Sequence, residues 1–272
     1  ERLKEIEPHA KGIRAGFSPH PGVVDFERVT VAFADDVAAR GGAILTGHRV
    51  LGIRRSGDAV LLQTSAGDVE TRHLVSCAGL HSDRLAAMTG AEAEPRIVPF
   101  RGDYYALRPD RRHLVRALIY PVPDPRVPFL GVHFTLRHDG DVWLGPNAVL
   151  AFAREGYRRR DISLRDNWET LTYRGFWAMA AQYWRTGFGE MYRDFVKSAF
   201  VAALRRYMPE LEGADVVPAP SGVRAQALAA DGKLVDDFVF SQAPNVIHVR
   251  NAPSPAATAS LAIARMIADR VD

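Results

Sequence analysis

The sequence contains a single cysteine, Cys77, among 272 residues. One thiol cannot form an internal disulfide framework or a zinc site built on cysteines, and such scarcity is typical of a reducing compartment. No apolar run approaches the roughly 18 residues that a membrane-spanning helix needs. The chain opens on charged residues, from Glu1 to Glu5, unlike a secretory signal. We therefore expect a cytoplasmic protein, with contact to a membrane surface left open.

Several catalytic motifs are also missing. The sequence has no Gly-x-Ser-x-Gly elbow, no Walker loop, no His-Glu-x-x-His and no pair of histidines at metal spacing, so no metal site is predicted. The dinucleotide fingerprint is missing too. Gly187 and Gly189 imitate its start, but Tyr192 occupies the third glycine position. The segment also lies between aromatic helices, where a strand–helix turn for pyrophosphate is not available.

Charge of one sign is not concentrated anywhere. The chain has 35 Lys and Arg against 32 Asp and Glu, a net charge of +3, and its basic runs are short, as at residues 158–160. Binding to nucleic acid needs a concentrated basic face, so no nucleic-acid partner is expected. The apolar content of 47% excludes global disorder, and the length allows one or two domains.

The predicted elements change in character twice along the chain. An α/β region has a helix over 25–40, strands over 43–45, 49–54, 59–64, 69–72 and 73–77, and a helix from Ser82. Next come antiparallel strands over 99–107, 116–121, 129–137 and 141–146, and helices over 163–207. Strands over 222–228, 234–240 and 246–249 and a helix over 255–270 follow. We predict an α/β fold with an α+β second domain, divided as 1–95, 96–215 and 216–272.

Two glycine-containing segments are candidates for close contact with a ligand. A buried strand ends in Cys77-Ala78-Gly79 just before a helix, and small residues there let a flat ligand approach the backbone. An ordinary capped turn explains this pattern equally well. Gly102, in a strand between Arg101 and Asp103, predicts a bulge or a close approach to another surface. The residues alone favour the alternative, a surface Arg101–Asp103 pair.

His133 and Arg224 are the candidates for chemistry. Strand alternation puts His133 on one face with Thr135, and a neutral histidine there can accept a proton from a hydroxyl. A structural, hydrogen-bonded histidine is the more common case. Arg224 lies in an apolar strand, where an arginine pairs with a carboxylate of the protein or of a substrate; both stay open. The small residues over 252–258 favour a turn that a ligand covers.

Six motifs run in order along nearly the whole chain: Pro99-Phe100-Arg101-Gly102-Asp103-Tyr104, Ile119-Tyr120-Pro121-Val122-Pro123, Pro128-Phe129-Leu130-Gly131-Val132-His133-Phe134-Thr135, Leu144-Gly145-Pro146-Asn147-Ala148, Gly222-Val223-Arg224-Ala225-Gln226 and Asn251-Ala252-Pro253-Ser254-Pro255-Ala256-Ala257-Thr258. Together they resemble the L-2-hydroxyglutarate dehydrogenase/oxidase family, within the FAD-dependent, D-amino-acid-oxidase-like superfamily. That family begins with a strand–GxGxxG–helix segment that this sequence lacks. We therefore expect the sequence to start inside such a protein, with an incomplete Rossmann-like FAD domain and an incomplete parallel sheet.

The resemblance implies a site and a reaction. FAD is the implied cofactor, contacted by Ala78, Gly79, Leu80, Ala252, Pro253, Ser254, Pro255, Ala256, Ala257 and Thr258. Arg224 is similar in position to the arginine that holds a substrate carboxylate in related oxidases, and His133 is the implied base. The implied substrate-binding residues, on the antiparallel-sheet and helix domain, are Arg101, Tyr104, Tyr120 and Asn147.

The implied reaction oxidises the 2-hydroxy acid L-2-hydroxyglutarate to 2-oxoglutarate, with hydride transfer to the flavin. Quinone and oxygen both stay open as electron acceptors. The alternatives are a related FAD-dependent amine or amino-acid oxidase and a catalytically incomplete fragment. Substrate-dependent bleaching of the flavin absorbance distinguishes oxidation of L-2-hydroxyglutarate from oxidation of an amine or amino acid.

Overall fold

The computed structural model describes residues 2–122 and 131–271. The helices are α1 Arg2–Ile6, α2 Phe26–Ala39, α3 Ser82–Met88, α4 Leu164–Leu171, α5 Arg174–Phe195, α6 Lys197–Leu204 and α7 Ser260–Ala268. The strands are β1 Val50–Ser56, β2 Ala59–Thr64, β3 Val69–Thr71, β4 Leu74–Ser76, β5 Arg96–Gly102, β6 Tyr105–Leu107, β7 His133–Leu136, β8 Val142–Gly145, β9 Val149–Leu150, β10 Val216–Pro218, β11 Gly222–Leu228, β12 Val239–Ala243 and β13 Val246–Asn251.

The chain forms two compact units, each made of three segments. Unit 1 contains Glu1–Asp25, Pro99–Trp168 and Ala180–Arg224, and unit 2 contains Phe26–Val98, Glu169–Met179 and Ala225–Asp272. The predicted divisions at 96 and 216 fall near two of these boundaries. The predicted division differs at residues 1–25, which group with unit 1, and at 169–179, which group with unit 2.

Hydrogen bonds explain both differences. In unit 1, a carboxylate oxygen of Glu7 accepts hydrogen bonds from the backbone N–H groups of Arg116, at 2.9 Å, and Ala117. In unit 2, the Tyr173 hydroxyl donates to the carbonyl oxygen of Leu228 at 2.9 Å. A local pattern does not reveal such bonds between distant parts of the chain, and a buried polar group needs them.

Unit 1 is built on an antiparallel sheet with the strand order β10-β6-β8-β7. Phe134 on β7 is opposite Leu144 on β8, and both side chains are fully buried. Full burial of side chains this large contributes about 1.5–3 kcal/mol each. Helix α6 covers this core with its apolar residues. The core residues are Leu107, Leu114, Val115, Val132, Phe134, Val142, Leu144, Phe200, Val201, Leu204, Met208, Leu211 and Val216.

Unit 2 contains an antiparallel sheet, β1-β2-β3, and a second sheet with the order β12-β13-β4. Strand β13 pairs with β4 in parallel, with His248 opposite Ser76, whereas its pairing with β12 is antiparallel. Ile53, Val60 and Val246 form a small buried cluster. The parallel pair agrees with the prediction of a parallel sheet in this part of the chain.

Several predicted elements differ from the observed ones. Residues 43–45 form no strand, residues 234–240 become a strand only from Val239, and 116–121 contribute a single bridge, between Ile119 and Phe134. A short apolar run becomes a strand only where a neighbour accepts its hydrogen bonds, and sequence pattern alone does not supply that neighbour. Residues 129 and 130 of the predicted strand 129–137 lie outside the described residues.

The bounds of two further predicted elements differ from the observed ones. The predicted strand 99–107 is divided into β5 and β6 after Gly102. The final helix begins at Ser260 instead of residue 255, since residues 254–259 form turns.

Candidate functional site

A cavity of about 350 Å³ lies within unit 1. Its walls come from the end of β5, the start of β7, the segment after β8 and the start of β11. The lining residues are Phe100, Arg101, Gly102, Tyr104, His133, Pro146, Asn147, Ala148, Gly222, Val223 and Arg224. The structure thus brings five residues predicted for the substrate site to one cavity: Arg101, Tyr104, His133, Asn147 and Arg224. The sixth, Tyr120, does not line it but stacks on His133, with ring centroids 4.4 Å apart.

His133 has a defined proton arrangement. Its Nδ1 lies 3.1 Å from the carbonyl oxygen of Gly131. A carbonyl oxygen can only accept, so Nδ1 carries the hydrogen and Nε2 keeps its lone pair in the neutral ring. Burial lowers the pKa of His133, and the hydrogen bond to Gly131 opposes this shift only in part. Near neutral pH the ring is therefore uncharged and can accept a proton at Nε2.

Arg224 and Tyr104 supply donors to the cavity. Arg224 is an exposed residue of β11 that lines the cavity, so its guanidinium can reach an anionic ligand there. Burial raises the pKa of Tyr104, with a smaller contribution from Tyr120 and an opposing one from Arg224. The Tyr104 hydroxyl therefore stays protonated and can donate a hydrogen bond. Its ring lies 5.2 Å from the ring of Trp143, which supports it.

Arg101 lines the cavity but is already paired with carboxylates. Its Nε and Nη2 donate to the two carboxylate oxygens of Asp103 at 2.8 and 3.1 Å, and Nη2 lies 3.5 Å from Asp194. The side chain is only 4% exposed. The Arg101–Asp103 pair anticipated from the sequence thus exists, but inside the protein instead of on its surface. Because its guanidinium group already contacts two carboxyl groups, Arg101 is poorly suited to bind a third.

Asn147 is also held by the protein. Its side-chain oxygen accepts from the backbone N–H of Asp103 at 2.7 Å, and its amide nitrogen donates to Asp194 at 2.6 Å. Gly102 lies beside this contact, and a Cβ on Gly102 would come within 2.8 Å of the Pro146 side chain. The predicted close approach at Gly102 is therefore present, against the segment that carries Asn147.

The local sequence did not single out three polar residues around this contact: Arg159, Asp194 and Ser221. Arg159 Nε lies 3.2 Å from Asp194, and the Ser221 hydroxyl donates to Asp103 at 2.5 Å. Asp194 lies in α5 between Arg193 and Phe195, where a lone acid has the pattern of an ordinary helix surface. Its burial, at 4% exposure, is the signal, and only the structure contains it.

The predicted flavin-contacting residues lie in unit 2, directly after two neighbouring strands. Ala78-Gly79-Leu80 follows the carboxyl end of β4, and residues 252–258 follow the carboxyl end of β13, its parallel partner. In open α/β sheets, ligands bind outside the carboxyl ends of parallel strands. Gly79 has a φ of +52° and open space around the position of a Cβ. These small residues therefore fit a flat cofactor that approaches the backbone.

Comparisons with known proteins agree with the resemblance found in the sequence. A family model described as FAD dependent oxidoreductase (DAO) matches residues 1–270. A protein of Nematostella vectensis named L-2-hydroxyglutarate dehydrogenase, mitochondrial, is 50% identical to this chain, covering 98% of the chain and 63% of that protein. The L-2-hydroxyglutarate dehydrogenase of an Escherichia coli strain is 45% identical, covering 100% of the chain and 64% of that protein. The chain thus spans less than two thirds of the length of these relatives.

A solved structure shares the fold. The L-alpha-glycerophosphate oxidase of Mycoplasma pneumoniae, described with FAD bound, superposes with a TM-score of 0.67. The match covers 97% of this chain and 60% of that one, with 18% identity. At this identity the likeness concerns the fold alone, and it confirms the predicted mixed α/β architecture.

Proposed function

This chain belongs to the FAD dependent oxidoreductase family, and from that premise we propose that the protein oxidises L-2-hydroxyglutarate to 2-oxoglutarate. The observation that carries the proposal is the cavity of unit 1, where a neutral histidine, an arginine and a protonated tyrosine meet: His133, Arg224 and Tyr104. A 2-hydroxy acid needs a base for its hydroxyl group and a cation for its carboxylate. The names of the relatives support the same substrate.

Arg224 binds one carboxylate of the substrate. Its planar guanidinium forms two parallel hydrogen bonds with a carboxylate, which fixes both position and orientation. The hydroxyl group of Tyr104, which lines the cavity, donates to the second carboxylate. We assign Arg101 and Asn147 to the wall of the cavity instead of to the substrate, because Asp103 and Asp194 already hold them.

His133 removes the proton of the substrate hydroxyl at Nε2. The carbonyl oxygen of Gly131 accepts from Nδ1–H, which fixes the neutral ring in the tautomer that can accept a proton at Nε2, and the same hydrogen bond remains in the protonated ring. Stacking on Tyr120 keeps the ring plane in place. A base at this position contributes about 10²–10⁴-fold to the rate.

FAD supplies the hydride acceptor of this chemistry when it is bound. The residues that would hold it are the turn Ala78-Gly79-Leu80 and the segment 252–258, whose small side chains leave the backbone accessible. Whether the electrons pass on to quinone or to oxygen is a separate property. Measuring flavin reoxidation with each acceptor distinguishes the two.

Anaerobic bleaching of the flavin absorbance tests the proposal. The full-length protein with FAD is mixed with L-2-hydroxyglutarate, with D-2-hydroxyglutarate and with a panel of L- and D-amino acids. We expect bleaching by L-2-hydroxyglutarate alone. Bleaching by an amino acid and not by the hydroxy acid would overturn the proposal in favour of an amino-acid oxidase, and no bleaching by any of these compounds would favour a catalytically incomplete protein.

The location of the protein stays a prediction. Within residues 2–122 and 131–271, no helix combines the length and apolar character needed to cross a bilayer. A cytoplasmic position and contact with a membrane surface are both predictions. Fractionation of cell extracts, with a salt wash of the membrane fraction, tests them.

A further inference from the structure

Asp194 lies behind the cavity and contacts two of its walls. Oδ1 accepts the hydrogen bond from the Asn147 amide at 2.6 Å, and Oδ2 lies 3.5 Å from Nη2 of Arg101. Both partners line the cavity, whereas Asp194 does not. Its side chain is 3% exposed. One buried carboxyl group therefore joins the segment at Arg101 to the segment at Asn147.

We propose that Asp194 is a positioning residue for the cavity, which holds Asn147 and Arg101 in place through its two carboxyl oxygens. This inference rests on the proposed function, since it gives the cavity its role as the substrate site. The Asn147 side chain is bound at both ends, by Asp194 and by the backbone of Asp103. Loss of Asp194 would leave a buried amide group without its acceptor, which is costly, so the segment 146–148 would move.

The carboxyl groups of Asp103 and Asp194 lie beside each other, since both contact the guanidinium groups of Arg101 and Arg159. Two carboxylates this close cannot both be ionised cheaply, so the pair shares a proton over part of the pH range. Burial, and next the contact with Asp103, raises the pKa of Asp194 to about 6. Burial opposes ionisation of Asp103 as well, but hydrogen bonds from Asp194, Arg101 and Ser221 together lower its pKa to about 2.

The charges around Asp103 and Asp194 determine whether protonation of this pair strengthens or weakens the binding of an anionic ligand. Arg101 and Arg159 face Asp103 and Asp194, so the four groups sum to zero when both carboxyls are ionised and to +1 when they share a proton. An anionic ligand in the cavity therefore binds more tightly below about pH 6. The other polar or charged groups nearby are Tyr105, Ser221, Glu190 and Arg193, of which the last two form their own ion pair.

Binding of glutarate tests the proposal, because this dicarboxylate has no hydroxyl group to oxidise. Calorimetry compares Asp194→Ala, which removes the acceptor, with Asp194→Asn, which keeps an acceptor for Asn147 but no charge. We expect Asp194→Ala to weaken binding about ten-fold and Asp194→Asn to weaken it less, because the Asn side chain keeps an acceptor for Asn147 but loses the contact with Arg101. Removal of a negative charge by itself strengthens the binding of an anion. Weaker binding of glutarate to Asp194→Ala would therefore show that Asn147 and Arg101 have moved.

The matched control is Asp215→Ala, which removes another buried aspartate of unit 1. Asp215 pairs with Arg111 at 3.0 Å and accepts the backbone N–H of Glu212 at 2.7 Å, and neither partner lines the cavity. We expect thermal destabilisation in both Ala variants and an unchanged glutarate affinity in Asp215→Ala alone. Equal losses of affinity in the two Ala variants, or a loss in Asp194→Asn as large as that in Asp194→Ala, would overturn the proposal.

The pH dependence of glutarate affinity distinguishes a positioning role of Asp194 from a merely structural one. In a His133→Gln background, which removes the other titrating group of the cavity, glutarate affinity is expected to fall as the pH rises through about 6. Adding Asp194→Asn is expected to abolish this step. A step that persists with Asp194→Asn would overturn the proposal, even if Asp194→Ala does not fold.

A substrate-free measurement separates failure of this inference from failure of the proposed function. The side-chain amide resonance of Asn147, assigned by its loss in Asn147→Ala, is expected to shift with pH through about 6 in the wild type and not in Asp194→Asn. A shift without any glutarate binding would overturn the proposed function and keep the contact between Asp194 and Asn147. An Asn147 amide resonance that is the same in the wild type and in Asp194→Asn at every pH would overturn the role of Asp194, whatever the substrate is.

Discussion

The two regions that carry the predicted site residues are constructed differently. In unit 1 the cavity is lined by side chains that other side chains hold, as Asp103 and Asp194 hold Arg101. In unit 2 the segments 78–80 and 252–258 contain mostly small residues, none of them buried, arranged by the ends of β4 and β13. A site made of side chains is sensitive to single changes of chemistry. A site made of backbone is sensitive chiefly to changes of conformation.

The largest effect is expected for His133→Gln, which tests whether the chemistry resides in unit 1. We expect kcat to fall about 10²–10⁴-fold, because the proton of the substrate hydroxyl loses its acceptor. Stopped-flow measurement of flavin reduction checks this. His113→Gln is the matched control, since His113 bonds a backbone carbonyl as His133 does but lies outside the cavity. A comparable fall in the control would assign the loss to folding.

The pH profile sharpens the same assignment. Burial lowers the pKa of His133 below its ordinary value of 6.5, so the neutral, proton-accepting form persists to lower pH than in water. We expect kcat/KM to fall only as the pH drops through this lowered pKa, and this acid limb to be missing in His133→Gln. An acid limb that is unchanged in the variant would show that another group is the base.

Arg224→Lys should impair the use of the substrate and leave the binding of FAD unchanged. Lysine keeps the charge but cannot form the two parallel hydrogen bonds, so we expect kcat/KM to fall about 10²-fold. FAD content and the flavin spectrum should stay as in the wild type. Arg108→Lys, at another exposed arginine of unit 1, is the control. Equal loss of FAD binding and substrate use would make Arg224 a structural residue and remove the contrast between the units.

Gly102→Ala tests the packing between the walls of the cavity. The added methyl group would lie 2.8 Å from the Pro146 side chain and 3.1 Å from the Asn147 carbonyl oxygen. We expect a loss of about 1–3 kcal/mol in the free energy of unfolding and a higher KM. Gly213→Ala, where nothing lies within 4 Å, should change neither. An unchanged KM in Gly102→Ala would mean that the cavity tolerates movement of this wall.

Gly79→Ala should give the smallest effect, and it concerns backbone alone. At a φ of +52° with open space around it, alanine meets no clash and loses only about 1 kcal/mol from its conformation. Gly90→Ala, at a φ of +77° and also in open space, should lose as much stability. We expect weaker FAD binding in Gly79→Ala alone. Identical FAD affinity in the two variants would remove Gly79 from the cofactor site.

Much of the local structure was predictable from the sequence. The strands at 59–64 and 222–228 match the observed β2 and β11, because clear alternation and turn residues bound them. The predicted membership of the wider FAD-dependent oxidoreductase family is confirmed by the match over residues 1–270, and FAD is that family's cofactor. The helix predicted from residue 255 begins only at Ser260, because residues 254–259 form turns.

Candidate site residues were predictable where they belong to ordered motifs. His133 and Arg224 lie in two separate motifs, and the structure brings both to one cavity. Their roles in catalysis and binding stay predictions that the variants above test. Asp194 belongs to no such motif, and its pattern in α5 is that of an exposed acid. Its burial follows from tertiary packing, which no local window contains.

The sequence by itself determined the family, the order of the elements and the residue types available for chemistry, because motifs and periodicity are local properties of the chain. Tertiary structure decided which groups that are distant along the chain meet, and which of them are buried. In the structure Arg101 contacts both Asp103 and Asp194, and both ends of the Asn147 amide are bonded, which is why we propose these two residues for the wall of the cavity. Electrostatic pairing depends on distance and burial in space, and separation along the chain does not report either of them.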